Sequence, residues 1–270
     1  MLRENEGVTA PYLLVEENLR RAMRFYGTAP ERGEVREIGG VEIVTSGMDF
    51  AMFNPAMLTG PVADRNELDR RIAIPAVHFS QRHCRWSYWV CEDLLAPPLR
   101  RVANDCFALR GLRRVLTVPG MLADGLRPPV RPLPKIECRQ TSDAATRAAF
   151  AHITAIAFDL PFPAAQQVYD SERGWEEDDL IGYVGFVDSH PVCTSAITIS
   201  KDVVGFYSVG TLPAYRRRGY AEALMRNIYD QVRSAIGLER VVLQSTPAGL
   251  RLYERMGFKQ VTKFSIYVSM

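Results

Sequence analysis

The sequence predicts a mixed α/β fold in two halves, each with a mostly antiparallel sheet flanked by helices. In the second half, hydrophobic residues follow a helical spacing over 142–158, form three β-rich runs between 180 and 209, and return to a helical spacing over 221–232. The first half repeats this order more faintly. Between the halves, four prolines in the nine residues 127–135 forbid a helix and predict an extended linker.

The second half begins with the predicted helix over 142–158, which has Thr141 or Ser142 as its N-cap and Asp143 in its first turn. Short polar turns separate the three β-rich runs, which favours an antiparallel meander. The further predicted elements are a helix that Gly237 ends, a strand over 240–243, a helix between Thr246 and Gly257, and one or two strands over 258–268.

The first half is predicted to follow a similar order. Its elements are a helix over 15–26, strands over 35–38, 41–45 and 50–53, a helix over 67–82, a strand over 85–91, a helix over 97–109 and a strand over 114–118. Pro75 lies inside one predicted helix, where a proline removes a hydrogen bond and kinks the axis. We interpret the order as an internal duplication of the fold, with domains over 1–126 and 136–270.

The composition excludes several classes of protein. Lys and Arg number 33 against 31 Asp and Glu, so the net charge of +2 gives no bulk attraction to nucleic acid or anionic lipid. The acidic N-terminal residues 1–7 lack the apolar core of a signal peptide, so we expect a cytoplasmic protein without membrane or nucleic-acid partners. The five cysteines form no CxxC pair, which predicts no metal site. The sequence leaves open whether the protein forms a homodimer.

Three consecutive arginines, Arg216, Arg217 and Arg218, stand where the helix over 221–232 should begin. A helix N-terminus already carries about half a positive charge, so arginines lower its stability unless an anion compensates. Free amides and arginines together form a site for phosphate. Gly219, which has no side chain, would let the phosphate approach the backbone closely. The alternative is a solvated basic loop before an ordinary amphipathic helix.

The pattern Arg216-x-x-Gly219-x-Ala221 after a strand resembles the acyl-CoA pyrophosphate loop of the GNAT superfamily of N-acetyltransferases. The superfamily's second hallmark, a helix that bears a Tyr and ends in Gly-Phe, is similar to residues 249–258. The resemblance covers roughly residues 136–270. Residues 54–60 occupy the comparable place in the first half but contain no Arg and no Gly-x-Gly pattern. The chain therefore resembles a tandem GNAT protein whose first domain, over 1–126, is degenerate and binds no CoA.

The resemblance implies an N-acetyltransferase that moves an acetyl group from acetyl-CoA directly to a primary amine of a small molecule or peptide, without a metal. The cofactor-binding residues that it implies are Val209, Gly210 and Thr211 for the pantetheine arm, Arg216, Arg217, Arg218, Gly219, Tyr220 and Ala221 for the pyrophosphate, and Ser245, in a Gln244-Ser245 pair where members often carry Asn. It also implies that Tyr253 protonates the departing thiolate, a task for which a phenol needs only to be well placed.

The general base and the acceptor are not identified by any motif. Asp159, Glu176 and Glu177 are candidate bases on loops, and none is favoured over solvated surface acids. Apolar side chains near the acceptor side give a weak indication of a hydrophobic acceptor; they are Phe158, Pro161, Phe162, Trp175, Tyr183 and Phe206. The alternative function is a non-catalytic acyl-CoA sensor, which the unidentified base favours. A nucleic-acid module is poorly supported, because the arginine run is isolated.

Overall fold

The computed structural model describes residues 9–177 and 179–270, and within them eleven strands join one continuous sheet. Residues 1–7, on which the expectation about the N-terminus rests, lie outside the described residues. The strands are β1 (Glu34–Ile38), β2 (Val41–Thr45), β3 (Pro55–Leu58), β4 (Ser87–Cys91), β5 (Leu112–Ala123), β6 (Glu137–Gln140), β7 (Ile181–Val187), β8 (His190–Ser200), β9 (Val203–Thr211), β10 (Val241–Gln244) and β11 (Lys259–Ser269).

Helices cover the sheet and connect its strands. They are α1 (Pro11–Met23), α2 (Phe25–Thr28), α3 (Arg65–Ser80), α4 (Pro97–Ala108), α5 (Ala144–Phe158), α6 (Phe162–Tyr169), α7 (Arg173–Glu176), α8 (Tyr220–Ile236) and α9 (Leu250–Met256). Single 3-10 turns occur at Ala51–Phe53, Glu92–Leu94 and Pro213–Tyr215. No helix within the described part of the chain is both long and apolar enough to cross a membrane.

The two halves exchange one strand each at the centre of the sheet. The strand order is β1-β2-β3-β4-β11-β5-β10-β9-β8-β7-β6. The last strand, β11, therefore lies between β4 and β5 of the first half, and β5 lies between β10 and β11 of the second. All of these central contacts are antiparallel. The mixed, mostly antiparallel sheet flanked by helices agrees with the coarser part of the predicted fold class. The prediction of a separate sheet in each half is wrong, because the strands of both halves join one sheet, and the boundaries of the two predicted domains stay a prediction.

Helix ends follow local chemistry, with one correction to the sequence prediction. The cap of α5 is Asp143, not Thr141 or Ser142: its Oδ1 accepts from the Thr146 amide at 2.7 Å, and the Thr146 hydroxyl completes the reciprocal pair. Glycines with positive φ flank α8, where Gly219 has φ 94° and Gly237 has φ 74°.

The predicted strand over 50–53 is wrong, because these residues form a 3-10 turn and the strand starts at Pro55. Buried Asn54 organises the turn. Its Oδ1 accepts from the Ser46 amide at 2.8 Å, and its Nδ2 donates to the carbonyls of Met48 at 2.7 Å and Arg85 at 2.8 Å. One buried amide side chain thus replaces the ladder that a strand would have formed.

Helix α1 of the first half packs across the strands of the second half. Asn18 is fully buried, and its Nδ2 donates to the Thr198 carbonyl at 3.0 Å and to Ser200 Oγ at 2.7 Å. The Tyr207 hydroxyl donates to Asn18 Oδ1 at 2.6 Å. A β-carbon at Gly205 would collide with that same Asn18 oxygen, so a glycine is needed where the helix crosses β9.

Candidate active site

β9 and β10 are parallel and pair only where they enter the sheet. Val241 faces Val204 and Val242 faces Gly205, and beyond these pairs the two strands diverge. Among the described residues, the edge of β9 that faces β10 therefore has no strand partner from Phe206 onward. Such an edge offers backbone amides and carbonyls to an extended ligand that adds as a strand.

A β-bulge lies in β9 at this divergence. Thr194 faces Gly210 and Ala196 faces Tyr207, so two residues of β9, Ser208 and Val209, oppose one residue of β8. Ser208 has φ 47°, and its carbonyl accepts from the Thr194 hydroxyl at 2.9 Å. The bulge re-aims the backbone of Val209 relative to its neighbours, which is a common device next to functional sites.

The loop after β9 presents its arginines to solvent. Arg216, Arg217 and Arg218 are all exposed. The Arg216 Nε donates to the Thr211 carbonyl at 3.0 Å, Arg217 is in the left-handed region with φ 63°, and the Arg218 guanidinium lies 5.8 Å from the centre of the Tyr215 ring. The structure thus brings the predicted arginines together at the start of α8.

Gly219, Tyr220 and Ala221 begin α8 without a side-chain cap, so the first amides of this helix have no capping side chain. Tyr220 packs with its ring 6.0 Å from that of Tyr215. Gly210 also has a packing role: a β-carbon there would come within 2.8 Å of Ala157 Cβ, so the close approach of α5 requires a glycine.

The proline-rich segment 127–135 crosses the same loop. A β-carbon at Gly219 would lie 3.1 Å from Pro134 Cδ and 3.6 Å from an Arg131 nitrogen. Further along, Arg226 of α8 donates to the Arg127 carbonyl at 2.6 Å. The segment has no helix or strand, and its contacts with Gly219 and Arg226 hold it along the start of α8.

Tyr253 lies on α9 with its ring buried beside the gap. The ring centre is 5.8 Å from that of Phe258, and a β-carbon at Gly249 would approach Tyr253 Cε2 within 2.7 Å. Burial raises the pKa of Tyr253 to about 12. Within residues 9–177 and 179–270 its hydroxyl has no hydrogen-bond partner. The packed ring therefore holds a proton donor whose hydroxyl is free to bond to a ligand.

The predicted cofactor residue Ser245 is buried, and its hydroxyl donates to the Thr246 carbonyl at 2.8 Å. The neighbouring Gln244 has a buried Nε2 without a partner in the described structure. Of the two side chains at the end of β10, Gln244 therefore offers the free donor. The amide of Ser245 bonds to the Pro119 carbonyl at 3.1 Å, which holds the end of β10 against β5.

A cavity of about 410 Å³ adjoins the gap. Its wall includes Val209, Gln244 and Tyr253, so it opens onto the predicted reaction centre. Two of the side chains predicted near the acceptor, Phe158 and Phe206, lie on this wall. The other four do not: Pro161 and Phe162 are exposed, Trp175 packs in the core with its Nε1 donating to the Tyr169 carbonyl, and Tyr183 packs in a separate hydrophobic cluster.

The candidate bases do not reach this cavity. Asp159, Glu176 and Glu177 are exposed, and none belongs to the cavity wall. Among the residues that the structure describes, no group of three or more His, Cys, Asp and Glu side chains could hold a metal ion.

The sequence analysis missed the first half's share of the cavity. Tyr26, Phe53 and Trp89 lie on the wall together with residues of the second half. No motif marks these aromatic residues, because an apolar residue on a helix or strand looks the same whether it fills a core or lines a cavity.

The comparisons with known proteins agree with this geometry. Residues 139–258 match the sequence model of the Acetyltransferase (GNAT) family, and this match agrees with the resemblance over that part of the chain. None of the curated proteins matches the chain.

Several solved structures share the fold of nearly the whole chain. A GCN5-related N-acetyltransferase from Kribbella flavida matches with a TM-score of 0.70 and 19% identity over 97% of this chain and 96% of its own. A GCN5-related N-acetyltransferase from Sphaerobacter thermophilus matches with a TM-score of 0.56 and 17% identity over 85% of this chain and 76% of its own. A functionally unknown conserved protein from Staphylococcus epidermidis matches with a TM-score of 0.59 and 12% identity over 88% of this chain and 94% of its own.

Proposed function

We propose that the protein is an acyl-CoA-dependent N-acetyltransferase that moves an acetyl group from acetyl-CoA directly to a primary amine of a small molecule or peptide. The observation that carries the proposal is the gap between β9 and β10. It has the arginine loop at one end and Tyr253 at the other, with an unpaired strand edge along its side.

The arginine loop suits the phosphates of CoA. Arg217 and Arg218 are exposed and free to pair with them, while Arg216 is partly engaged by the Thr211 carbonyl. The uncapped amides at Gly219 to Ala221 add donors and the positive end of the α8 dipole. The backbone of Val209 and Thr211 would hold the pantetheine arm as an added strand.

The donor supplies a thioester, whose carbonyl carbon the amine nitrogen attacks while the carbon–sulfur bond breaks. The Val209 amide at the bulge polarises the carbonyl, and the Tyr253 hydroxyl gives its proton to the departing sulfur. Because the pKa of Tyr253 is raised to about 12, this residue stays protonated throughout the neutral range. The proton that the amine loses returns to the tyrosinate through solvent.

The first half is proposed to be a degenerate copy of the same fold, which supports the site and binds no CoA. Its counterpart of the gap is closed, since Val62 pairs in parallel with Leu95 beyond the end of β4. The Val62 amide donates to the Leu94 carbonyl at 2.8 Å, and the Ala96 amide donates to the Val62 carbonyl at 3.0 Å. These bonds occupy the backbone groups that a ligand would need.

A thiol-release assay with acetyl-CoA and a panel of amines, amino acids and peptides tests the proposal. We expect free thiol and acetylated amine in equal amounts with at least one acceptor. If the protein binds acetyl-CoA but releases no thiol above the uncatalysed rate with any acceptor, it is a sensor of acyl-CoA rather than an enzyme.

A further inference from the structure

We propose that the acceptor is an aromatic amine that is uncharged when it binds, and that it occupies the cavity between the two halves. This inference rests on the proposed acetyl transfer and adds the chemical class of the substrate. The cavity is large enough for a substituted aromatic ring, and its wall reaches both Tyr253 and the bulge at Val209.

Both halves build the cavity, and its wall is apolar and aromatic. Helix α1 contributes Leu19, Ala22 and Met23, α2 contributes Tyr26, and Phe53 and Trp89 are further wall residues of the first half. Thr154, Tyr169 and Phe206 are wall residues of the second half. The acceptor therefore meets a surface that neither half forms alone.

Three rings on the wall are held at angles that favour an aromatic guest. The Tyr26 and Phe53 ring centres are 4.9 Å apart, and the rings of Phe53 and Tyr169 meet edge to face at 6.2 Å and 85°. The hydroxyls of Tyr26 and Tyr169 are 3.1 Å apart and fix both rings by a shared hydrogen bond. Aromatic pairs prefer such edge-to-face and offset contacts, so a ring entering the cavity finds ready partners.

The wall carries no formal charge within the described residues. None of its side chains is an Asp, Glu, Lys, Arg or His. Moving an ammonium group from water to such a wall, without a carboxylate to pair with it, is strongly unfavourable. An alkylamine is an ammonium ion at neutral pH, whereas an amine attached directly to an aromatic ring is neutral because its lone pair is delocalised. The wall therefore selects the second kind.

Two buried polar atoms on the wall have no partner in the described part of the protein. Thr154 is 1% exposed, and its hydroxyl forms no hydrogen bond. The Nε2 atom of Gln244 is also buried and forms no hydrogen bond. Buried polar groups are normally paired, so these two atoms indicate where a polar group of a ligand belongs. The Thr154 oxygen can accept from the amine N–H, and Gln244 can donate to the carbonyl of the acetyl group.

A neutral amine also accounts for the missing base. Its lone pair forms the carbon–nitrogen bond, the carbon–sulfur bond breaks, and the leaving sulfur takes a proton from Tyr253. The nitrogen then loses one proton, which restores Tyr253 through solvent. In the balance one proton moves from nitrogen to sulfur, and no ammonium has to be deprotonated before the attack.

The test uses two isomers, para-ethylaniline and phenethylamine, which have the same atoms but differ in charge at pH 7. With saturating acetyl-CoA, we expect kcat/KM for para-ethylaniline to exceed that for phenethylamine by at least about tenfold. Ala22→Trp, which fills the cavity from α1, should lower kcat/KM for para-ethylaniline by at least about tenfold. It should leave the Kd of acetyl-CoA unchanged.

Two further variants guard against misfolding and general effects. Thr154→Val keeps the shape of the side chain and removes the orphan hydroxyl, so it should raise KM for para-ethylaniline more than it lowers kcat. Ile156→Trp places the same large side chain on the exposed face of α5, off the cavity wall, and should change nothing.

The outcomes separate the inference from the proposed function. Thiol release with phenethylamine or peptides but not with para-ethylaniline overturns the inference and leaves acetyl transfer standing. So does para-ethylaniline turnover that Ala22→Trp does not affect. If the loss of kcat/KM in Ala22→Trp depends on the acyl chain length of the donor and not on the amine, the cavity holds the acyl chain and the inference is overturned. No thiol release with any amine overturns the proposed function itself.

Discussion

The sheet contains two parallel strand pairs at corresponding places of the two halves, and the two pairs differ beyond their last paired residues. β9 and β10 separate after two residue pairs and leave a gap. β3 and β4 pair over three residues, and the chain beyond them is joined again where Val62 bridges to Leu95. The same local topology therefore gives an open groove in one half and a closed seam in the other.

The helices that connect the two strands of each pair, α3 and α8, differ in charge at their first turns. In α3 the Asp64 carboxylate accepts from the Glu67 amide at 2.9 Å, and Glu67 in turn accepts from the Ala63 amide at 3.1 Å. The two carboxylates accept hydrogen bonds from amides that could otherwise bind an anion, and their negative charge repels an anion from this helix end. The start of α8 has Gly219 and exposed arginines instead. For the proposed function, closure and charge thus both favour a CoA site in the second half alone.

The largest effect is expected for Tyr253→Phe, which removes the proton donor and keeps the ring. General acid catalysis contributes about a hundred- to ten thousand-fold, so kcat should fall by at least about a hundredfold if chemistry limits the rate. The Kd of CoA should not change. Tyr229→Phe, at a buried position of α8, is the matched control and should leave turnover unaffected. Full turnover of the Tyr253 variant would leave water as the acid.

Arg218→Glu and Gly219→Val should weaken CoA binding by about ten- to a hundredfold, since a hydrogen bond to a charged group contributes about 1.5 to 3 kcal/mol. Gly219 has φ 94°, which strains any β-branched residue. Gly60→Val is the control in the first half, where a β-carbon would meet nothing within 4 Å. Calorimetry would contradict the loop assignment if both loop variants bound CoA like the wild type.

A variant at Glu16 on α1 tests whether this residue of the first half affects the stability of the protein without affecting CoA binding. Burial raises the pKa of Glu16 from 4.5 to about 7, against the opposing effect of the paired Arg20 at 3.1 Å. The folded protein holds this proton more tightly than the unfolded chain, so the contribution is present below pH 4.5 and is lost as pH rises through 7.

The free energy of unfolding should therefore fall over that window by about 3 kcal/mol. Glu16→Gln should flatten this dependence and leave the Kd of CoA unchanged. Chemical denaturation at several pH values measures it. A pH dependence identical in the variant would mean that Glu16 does not titrate in this range.

The smallest effect is expected for Asp64→Ala, which removes the cap of α3. Stability should fall by about 1 kcal/mol, as is usual for a lost N-cap. Titration should still give one CoA per chain, because the Val62–Leu95 bridge keeps the first gap closed. A second site in this variant would show that charge alone, and not closure, excludes CoA from the first half.

The parts that were predictable from sequence are those fixed by neighbouring residues. The meander of the second half and the arginine loop follow from local alternation, turn residues and the helix start at Gly219. The turn around Asn54 was misassigned because its buried amide contacts a residue as distant as Arg85. The cavity was not predictable either, since its wall forms only when α1 lies across β9.

The position of β11 constrains how the protein is made. Ser87 of β4 pairs with Val268 of β11, so a strand synthesised early waits for one that leaves the ribosome after every other strand of the sheet. While the chain is still being elongated, β4 and β5 have no common neighbour to join them. The sheet of the first half therefore cannot be completed before β11 has been synthesised, and until then the edge of β4 that faces β11 has no partner strand.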